Sequence, residues 1–336
     1  MQGHSRVRLE DFGVEEVLGF EPEGAGPHWL IEIEKRDQNT GWVAQALARW
    51  AGVPRKDVGH SGLKDRRAVT RQWLSLPAGE AEPNWATLNL PGVRVLRWVR
   101  HRRKLRPGSH HANRFQLILR GLQGDWPAWE AHLDRVRQAG FPNYFGTQRF
   151  GHAGGNLHAA HRWLFPEAGD GQAAPRSPSR EKRSLYLSAV RSFLFNRVLA
   201  ARVADSSWQS PWVGEPLMWP GSRGFFVVTT ADWEEAAERV AAGAIHPSGP
   251  LWGGADRLAQ AACRAYEDAV LAAESAWCER LEVLGMEAER RALRVIPEDL
   301  RWAVVGPGEA RLEVTLPRGV FATALLREVL QESPDA

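Results

Sequence analysis

The apolar periodicity of this chain changes twice, and that double change limits what it can fold into. Over roughly the first third, strand and helix signals alternate. Trp29, Ile31 and Ile33 alternate with Leu30, Glu32 and Glu34, as in a half-buried strand. Asn39 and Thr40 then offer a cap to a helical run over 41–51, in which Val43, Ala46, Leu47 and Trp50 share a face and Pro54 follows. Segments 70–76, 93–99 and 114–120 read as further strands. From Asp125 the pattern turns mainly helical, with Asp125 as N-cap, Pro127 in the first turn and Gly140 at the close. Helices are predicted over 181–204, 232–242 and 256–284, a strand at 225–230 and a loop at 169–180 rich in Gly, Ala, Pro and Ser. Strand alternation returns at 311–316, and a helix at 322–330. Sheet, helices and sheet again predict an α+β protein in which one domain interrupts another: 1–140 and 301–336 form the outer domain, 141–300 the inserted one.

Length and composition fit this plan. The 336 residues suffice for two cores, and 43% hydrophobic with 25% charged residues is ordinary globular composition. No apolar run approaches the roughly 20 residues that span a bilayer. The opening residues, MQGHSRVRLEDF, contain no apolar signal-peptide core, so a cytoplasmic protein without membrane contact is expected. Cys263 and Cys278, 15 residues apart in the predicted 256–284 helix, are too distant along it to bridge and read as buried, inert thiols. Trp42 and Trp50 read as core, and Trp98 as a ring able to stack on a base.

Net charge is +3, but its distribution is uneven. The 42 residues from Pro83 to Gly124 contain no Asp or Glu and nine cations: Arg94, Arg97, Arg100, Arg102, Arg103, Lys104, Arg106, Arg114 and Arg120. Taking those nine from the overall +3 leaves −6 on the other 294 residues. A local polyanion site is implied. Within 97–115 the cations interleave with Trp98, His101 and Phe115, so phosphates and stacked bases would both find partners. Lys64, Arg100, Arg102, Arg103, Lys104 and Arg106 are the candidate phosphate contacts. Six contacts would give a log–log salt slope near about −4.

The chemistry-bearing segment is 59–72, GHSGLKDRRAVTRQ, a Gly-bounded loop with Asp65 between Lys64 and Arg66-Arg67 just before a strand. Three flanking cations favour the ionised carboxylate, which suits nucleophilic work. The string GHSG fails as a serine nucleophile elbow, because Leu63 takes the last Gly position and a strand follows where a helix is needed. No P-loop, dinucleotide fingerprint or metal-ligand spacing is present, so no cofactor and no metal are expected. Asn113, between the basic loop and a strand, can donate and accept towards a base edge. Phe12, in Glu10-Asp11-Phe12, and Phe321, between a strand and a helix, each read as core or as a stacking ring. The aromatics of 143–151, NYFGTQRFG, divide between the same two readings.

Five segments together resemble the TruD family of tRNA pseudouridine synthases: EDFGVEE (10–16), GLKDRRAVTRQ (62–72), NRFQLILR (113–120), NYFGTQRFG (143–151) and GVFATALLRE (319–328). A sixth, KRSLYLSAVRSFLFNRV (182–198), is similar, and the order holds over nearly the whole chain. The resemblance implies a pseudouridine-synthase catalytic domain with a mixed or antiparallel sheet, interrupted by a family-specific domain that is mostly helical. It implies isomerisation of uridine at position 13 of tRNA, in the D-arm, without cofactor, by a protein expected to be a monomer. The family's catalytic aspartate falls on Asp65. Its target-uridine contacts fall on Phe12, Asn113 and Phe321, with Phe115 at the aromatic position beside the Asn. Ala112 replaces a commoner Gly, which puts the backbone angle there in question. A non-catalytic tRNA-binding or RNA-chaperone protein is the alternative, in which Asp65 would be dispensable.

Overall fold

The computed structural model describes residues 1–166, 177–254 and 258–332. Its strands and helices run, in chain order, β1 (Gln2–Ser5), β2 (Phe12–Val17), β3 (His28–Arg36), α1 (Thr40–Trp50), β4 (Gly59–His60), β5 (Val69–Pro77), β6 (Val93–His101), β7 (Ala112–Gln123) and α2 (Trp126–Ala139). There follow β8 (Phe141–Pro142), α3 (Gly155–Leu164), α4 (Arg180–Ala204), β9 (Pro216–Met218), β10 (Phe225–Val227), α5 (Trp233–Ala241) and β11 (Ser248–Leu251). The chain closes with α6 (Ala261–Val270), α7 (Ser275–Val283), β12 (Glu289–Ala292), β13 (Arg294–Val295), β14 (Glu298–Gly306), β15 (Glu309–Pro317), α8 (Ala322–Val329) and β16 (Gln331–Glu332). The fold is α+β, as the periodicity predicts. Two units separate: Met1–Asp134 with Pro297–Gly319 and Val329–Ala336, and Arg135–Ile296 with Val320–Glu328. The first division falls inside α2, a place no turn signal marks.

The first unit is built on a sheet in the order β14-β15-β7-β2-β5-β3-β6, with β1 beside β7 and β16, and β4 beside β5. It is mixed: β2 runs parallel to β5, whereas β7 pairs antiparallel with both β15 and β2. On one face Ile31, Ile33, Leu74 and Leu76 meet Val43 and Leu47 of α1, whose Asn39 cap accepts from Gly41 N. On the other, Leu30 and Trp73 pack with Leu18 and Leu105. The strand at 28–36 is therefore apolar on both faces at its start, more than half-buried alternation implies. Trp50 does join the core, stacked on Trp85 at 5.4 Å, but Trp42 is exposed. Trp98 also packs on Trp85, at 5.7 Å, with its indole N–H donated to Glu82, so it is not a free platform.

In the second unit α4 supplies Val190, Leu194 and Val198 to a core with Ala160, Trp252, Leu271, Cys278 and Leu281. The single helix predicted at 256–284 is instead two, α6 and α7, separated by a 3-10 turn at Ala272–Glu274. Cys263 and Cys278 thus sit on different helices, both buried and neither in a disulfide, and burial pushes the Cys263 thiol far above its ordinary range. Leu271 fills the core at the break, so a turn that bends the chain there costs no burial. Most of the predicted 169–180 loop lies outside the described residues. Among the described residues no helix is long and apolar enough to cross a membrane.

Candidate active site

Asp65 sits in the segment between β4 and β5, with a partly exposed carboxylate. Gly59 lets this segment approach its neighbour closely: a Cβ there would collide with Leu105 O and Ser75 Oγ. The far side is tied by Gly108 N donating to Ser61 O at 2.6 Å. At the backbone, Lys35 Nζ donates to the main-chain oxygens of Asp65 (2.7 Å) and Gln38 (2.8 Å). Lys35 continues the buried face of β3 after Ile31 and Ile33, and desolvation pushes its pKa down to about 8 against the pull of Asp65.

The cation that faces the Asp65 carboxylate comes from outside the loop. Arg6, after β1, approaches Asp65 Oδ2 at 3.9 Å and lays its guanidinium 3.7 Å over the Phe12 ring. Its φ of +57° is a left-handed conformation that a non-glycine residue adopts at a cost. Burial lowers the Arg6 pKa, and Asp65 opposes that shift. Two of the three flanking cations serve elsewhere. Arg66 pairs with Asp37 at 3.3 Å, and Lys64 is buried against Glu16 at 2.6 Å. Lys64 therefore holds the loop to β2 and presents no ammonium to a phosphate, contrary to its reading as a surface contact.

The register of β2 and β7 gathers the other candidates. Phe12, Val14 and Glu16 alternate on the buried face of β2, opposite Leu117, Phe115 and Asn113. Phe12 and Phe115 meet edge to face at 5.9 Å and are 1% and 6% exposed, so neither is a free-standing platform. In this arrangement the Arg6 guanidinium covers the Phe12 ring. Asn113 is buried, with Nδ2 3.4 Å from His110 Nε2 and Oδ1 buried without a partner among the described residues. Ala112 begins β7 with no positive φ, so its methyl is accommodated without backbone strain. Asp65, Phe12, Asn113 and Phe115 thus share the first unit. Phe321 belongs to the second, packed on Phe145 at 6.0 Å. Phe145 itself lies in the core with Phe195, Leu199 and Leu293, which resolves it as packing.

Strand pairing also reduces the basic stretch. Arg94 and Arg97 on β6 meet Glu34 (3.5 Å) and Glu32 (3.0 Å) of β3, and Arg114 on β7 meets Glu15 of β2 at 3.5 Å. Arg102 pairs with Glu23 at 2.8 Å, and Arg120 with Asp11 and Glu309. Arg100, Arg103, Lys104 and Arg106 remain without a carboxylate partner among the described residues. Three residues bearing on Asp65 had not been singled out. Lys35 had a signal, a cation continuing an alternating apolar run; Glu16 was inside a recognised motif; Arg6 had none. Among the described residues no cluster of three or more His, Cys, Asp or Glu could hold a metal ion.

Comparison with known proteins assigns the family. The family model for tRNA pseudouridine synthase D (TruD) matches residues 1–170 and 162–329. A protein named tRNA pseudouridine synthase D from Methylococcus capsulatus is 48% identical over 334 residues, spanning 99% of this chain and 92% of the relative. One of the same name from Pseudomonas entomophila is 46% identical over 326 residues, 97% of this chain and 90% of that protein. A crystal structure described as a TruD protein from Methanosarcina mazei shares the fold, with a TM-score of 0.72 over 98% of this chain and 93% of that one at 22% identity. Matched along nearly its whole length, the chain belongs to the TruD family of tRNA pseudouridine synthases.

Proposed function

We propose that this protein isomerises uridine to pseudouridine at position 13 of tRNA, with Asp65 as the reacting carboxylate. The observation that carries the reading is one arrangement: a partly exposed carboxylate faced by Arg6, whose guanidinium also lies over Phe12, with Lys35 holding the Asp65 main-chain oxygen and Asn113 in the same unit. The reaction breaks the C1′–N1 bond, joins C5 to C1′, releases the C5 hydrogen to solvent and returns a proton to N1. No electrons are gained or lost overall. A charged carboxylate can serve it by adding to C6 or C1′, or by taking the C2′ proton. Asn113 Oδ1 can accept from uracil N3–H, which would give that buried oxygen a partner. The uracil reaches Phe12 once the Arg6 guanidinium turns aside. Extrusion of the base costs a few kcal/mol, which one ring stack of about 1–3 kcal/mol offsets in part. Release of tritium from [5-³H]uridine in tRNA tests the reading, and a folded, tRNA-binding protein that releases none defeats it.

Two further outcomes are expected. The four cations without a carboxylate partner among the described residues, Arg100, Arg103, Lys104 and Arg106, give a log–log salt slope for tRNA binding of about −3, shallower than six contacts would. A slope close to zero would remove this segment from the interface. Lys35 sets an alkaline limb. Its folded pKa is about 8 against an ordinary 10.5, so above pH 8 the ammonium at the Asp65 main chain is lost and kcat/KM falls. Over the same window Lys35 keeps its proton in the unfolded chain and loses it in the folded one, so its own contribution to stability rises with pH. The Lys35 contributions to rate and stability therefore run in opposite directions between pH 8 and 10.5, and Lys35→Met should be slower and lack both contributions.

A further inference from the structure

A cavity opens in the unit that holds Asp65. The cavity measures about 770 Å³ and is lined among others by Phe20, His28, His101, Arg103, Lys104 and Ser109. It is within the size range of small-molecule pockets and far larger than a phosphate group needs. Its aromatic wall is fixed, since Phe20 packs on the Leu18, Leu30, Trp73 and Leu105 cluster and stacks on His101 at 5.1 Å and 21°. Cations outnumber acids on its rim: Arg103 and Arg106 line it and meet no carboxylate among the described residues, Lys104 Nζ donates to Lys56 O, Arg102 is paired with Glu23, and Glu21 is the other acid in the lining.

The polar lining is also incomplete. His28 Nδ1 and His101 Nδ1 are buried without a partner among the described residues, and His101 is only 6% exposed. Burial, Lys104 and His101 push the His28 pKa down, so its neutral ring offers one donor and one acceptor. A ring to stack on, unfilled polar atoms beside it and free cations at the mouth match the three parts of one nucleotide: base face, base edge and phosphate. The wall is joined directly to the Asp65 loop, through Gly108 N to Ser61 O and through the contact of Gly59 with Leu105.

We propose that this cavity receives a second nucleotide of the substrate RNA, a near neighbour of the target uridine, with its base against Phe20 and its phosphate at Arg103 and Arg106. The proposal rests on tRNA being the substrate and adds a site that reads context around the target. The test is a coupling measurement by filter binding, with unmodified tRNA made abasic at each nucleotide neighbouring the target in turn. One abasic position is expected to weaken binding to the wild-type protein about 10-fold, within the range of a base–aromatic stack. Phe20→Ala should weaken binding of intact tRNA by a similar factor, and variant and abasic site together should cost no more than either alone. Phe20→Trp should retain both affinity and coupling, which separates stacking from damage to the fold. Additive losses at every position, or unchanged affinity in Phe20→Ala, would overturn the proposal, as would failure of the protein to bind tRNA. Tritium release is read separately. Coupling without release defeats the catalytic assignment and leaves the pocket, whereas release without coupling does the reverse.

Discussion

Asp65→Asn is expected to lower single-turnover conversion of tRNA uridine by at least about 10⁴-fold, in line with removal of a reacting nucleophile in other enzymes. Binding of tRNA should change by no more than about twofold, because the amide keeps the shape of the carboxylate and Asp65 contributes one charge to a surface dominated by cations. This split is the diagnostic part. Were Asp65 only a turn residue, the substitution would move stability or affinity and leave the rate of bound tRNA unchanged. Arg6→Ala offers the companion experiment. The guanidinium is the cation nearest the carboxylate, at 3.9 Å, so its loss should reduce kcat by about 10²-fold, the scale of losing one preorganised electrostatic contact. Arg6→Lys should recover much of that rate.

The second large effect is on stability. Lys64 and Glu16 form a 2.6 Å pair with side chains 5% and 0% exposed, and Glu16 also accepts from Trp73 N. Removing one partner of such a pair leaves a buried charge uncompensated, at about 3–5 kcal/mol. Lys64→Met should therefore lower the urea midpoint sharply, and Lys64→Met with Glu16→Leu should recover most of the loss. Surface behaviour predicts otherwise. An exposed phosphate contact could be neutralised with less than about 1 kcal/mol of stability change and a salt slope shallower by about 0.7. An unchanged urea midpoint for Lys64→Met, together with such a shallower slope, would contradict the burial.

The contrast at Lys64 illustrates what could be read from the chain and what could not. Strand alternation located β3, β5, β6, β7 and β15, and the Asn39 and Asp125 caps located α1 and α2, because these signals lie within a few residues of one another. Asp65 was legible for the same reason, since its Gly-bounded loop and flanking charges are contiguous. The destinations of Lys64 and Arg66 were not. They depend on Glu16 and Asp37, which the sheet brings near from 48 and 29 positions away. The same long-range pairing neutralises part of the basic stretch. A run with no acid of its own lies beside β3, whose Glu32 and Glu34 are register partners of Arg97 and Arg94. Cross-strand neighbours, not chain neighbours, set the free charge.

Arg6 is the clearest case of what long-range geometry adds. It is an arginine in a short stretch with no pattern, and only the closure of β1 against β7 brings it over Phe12 and towards Asp65. The break between α6 and α7 is different in kind. The helical pattern continues through 271–275, and the turn follows from packing Leu271 and Cys278 into one core. Local propensity was compatible with one helix, and tertiary packing selected two.

Conversion of one uridine can be read by mapping the modified position. Unmodified tRNA incubated with this protein, then treated with carbodiimide and read by primer extension, should show a single new stop reporting pseudouridine at position 13. Asp65→Asn should leave that position blank under the same conditions. No stop with the wild-type protein, or an equal stop with Asp65→Asn, would contradict the account.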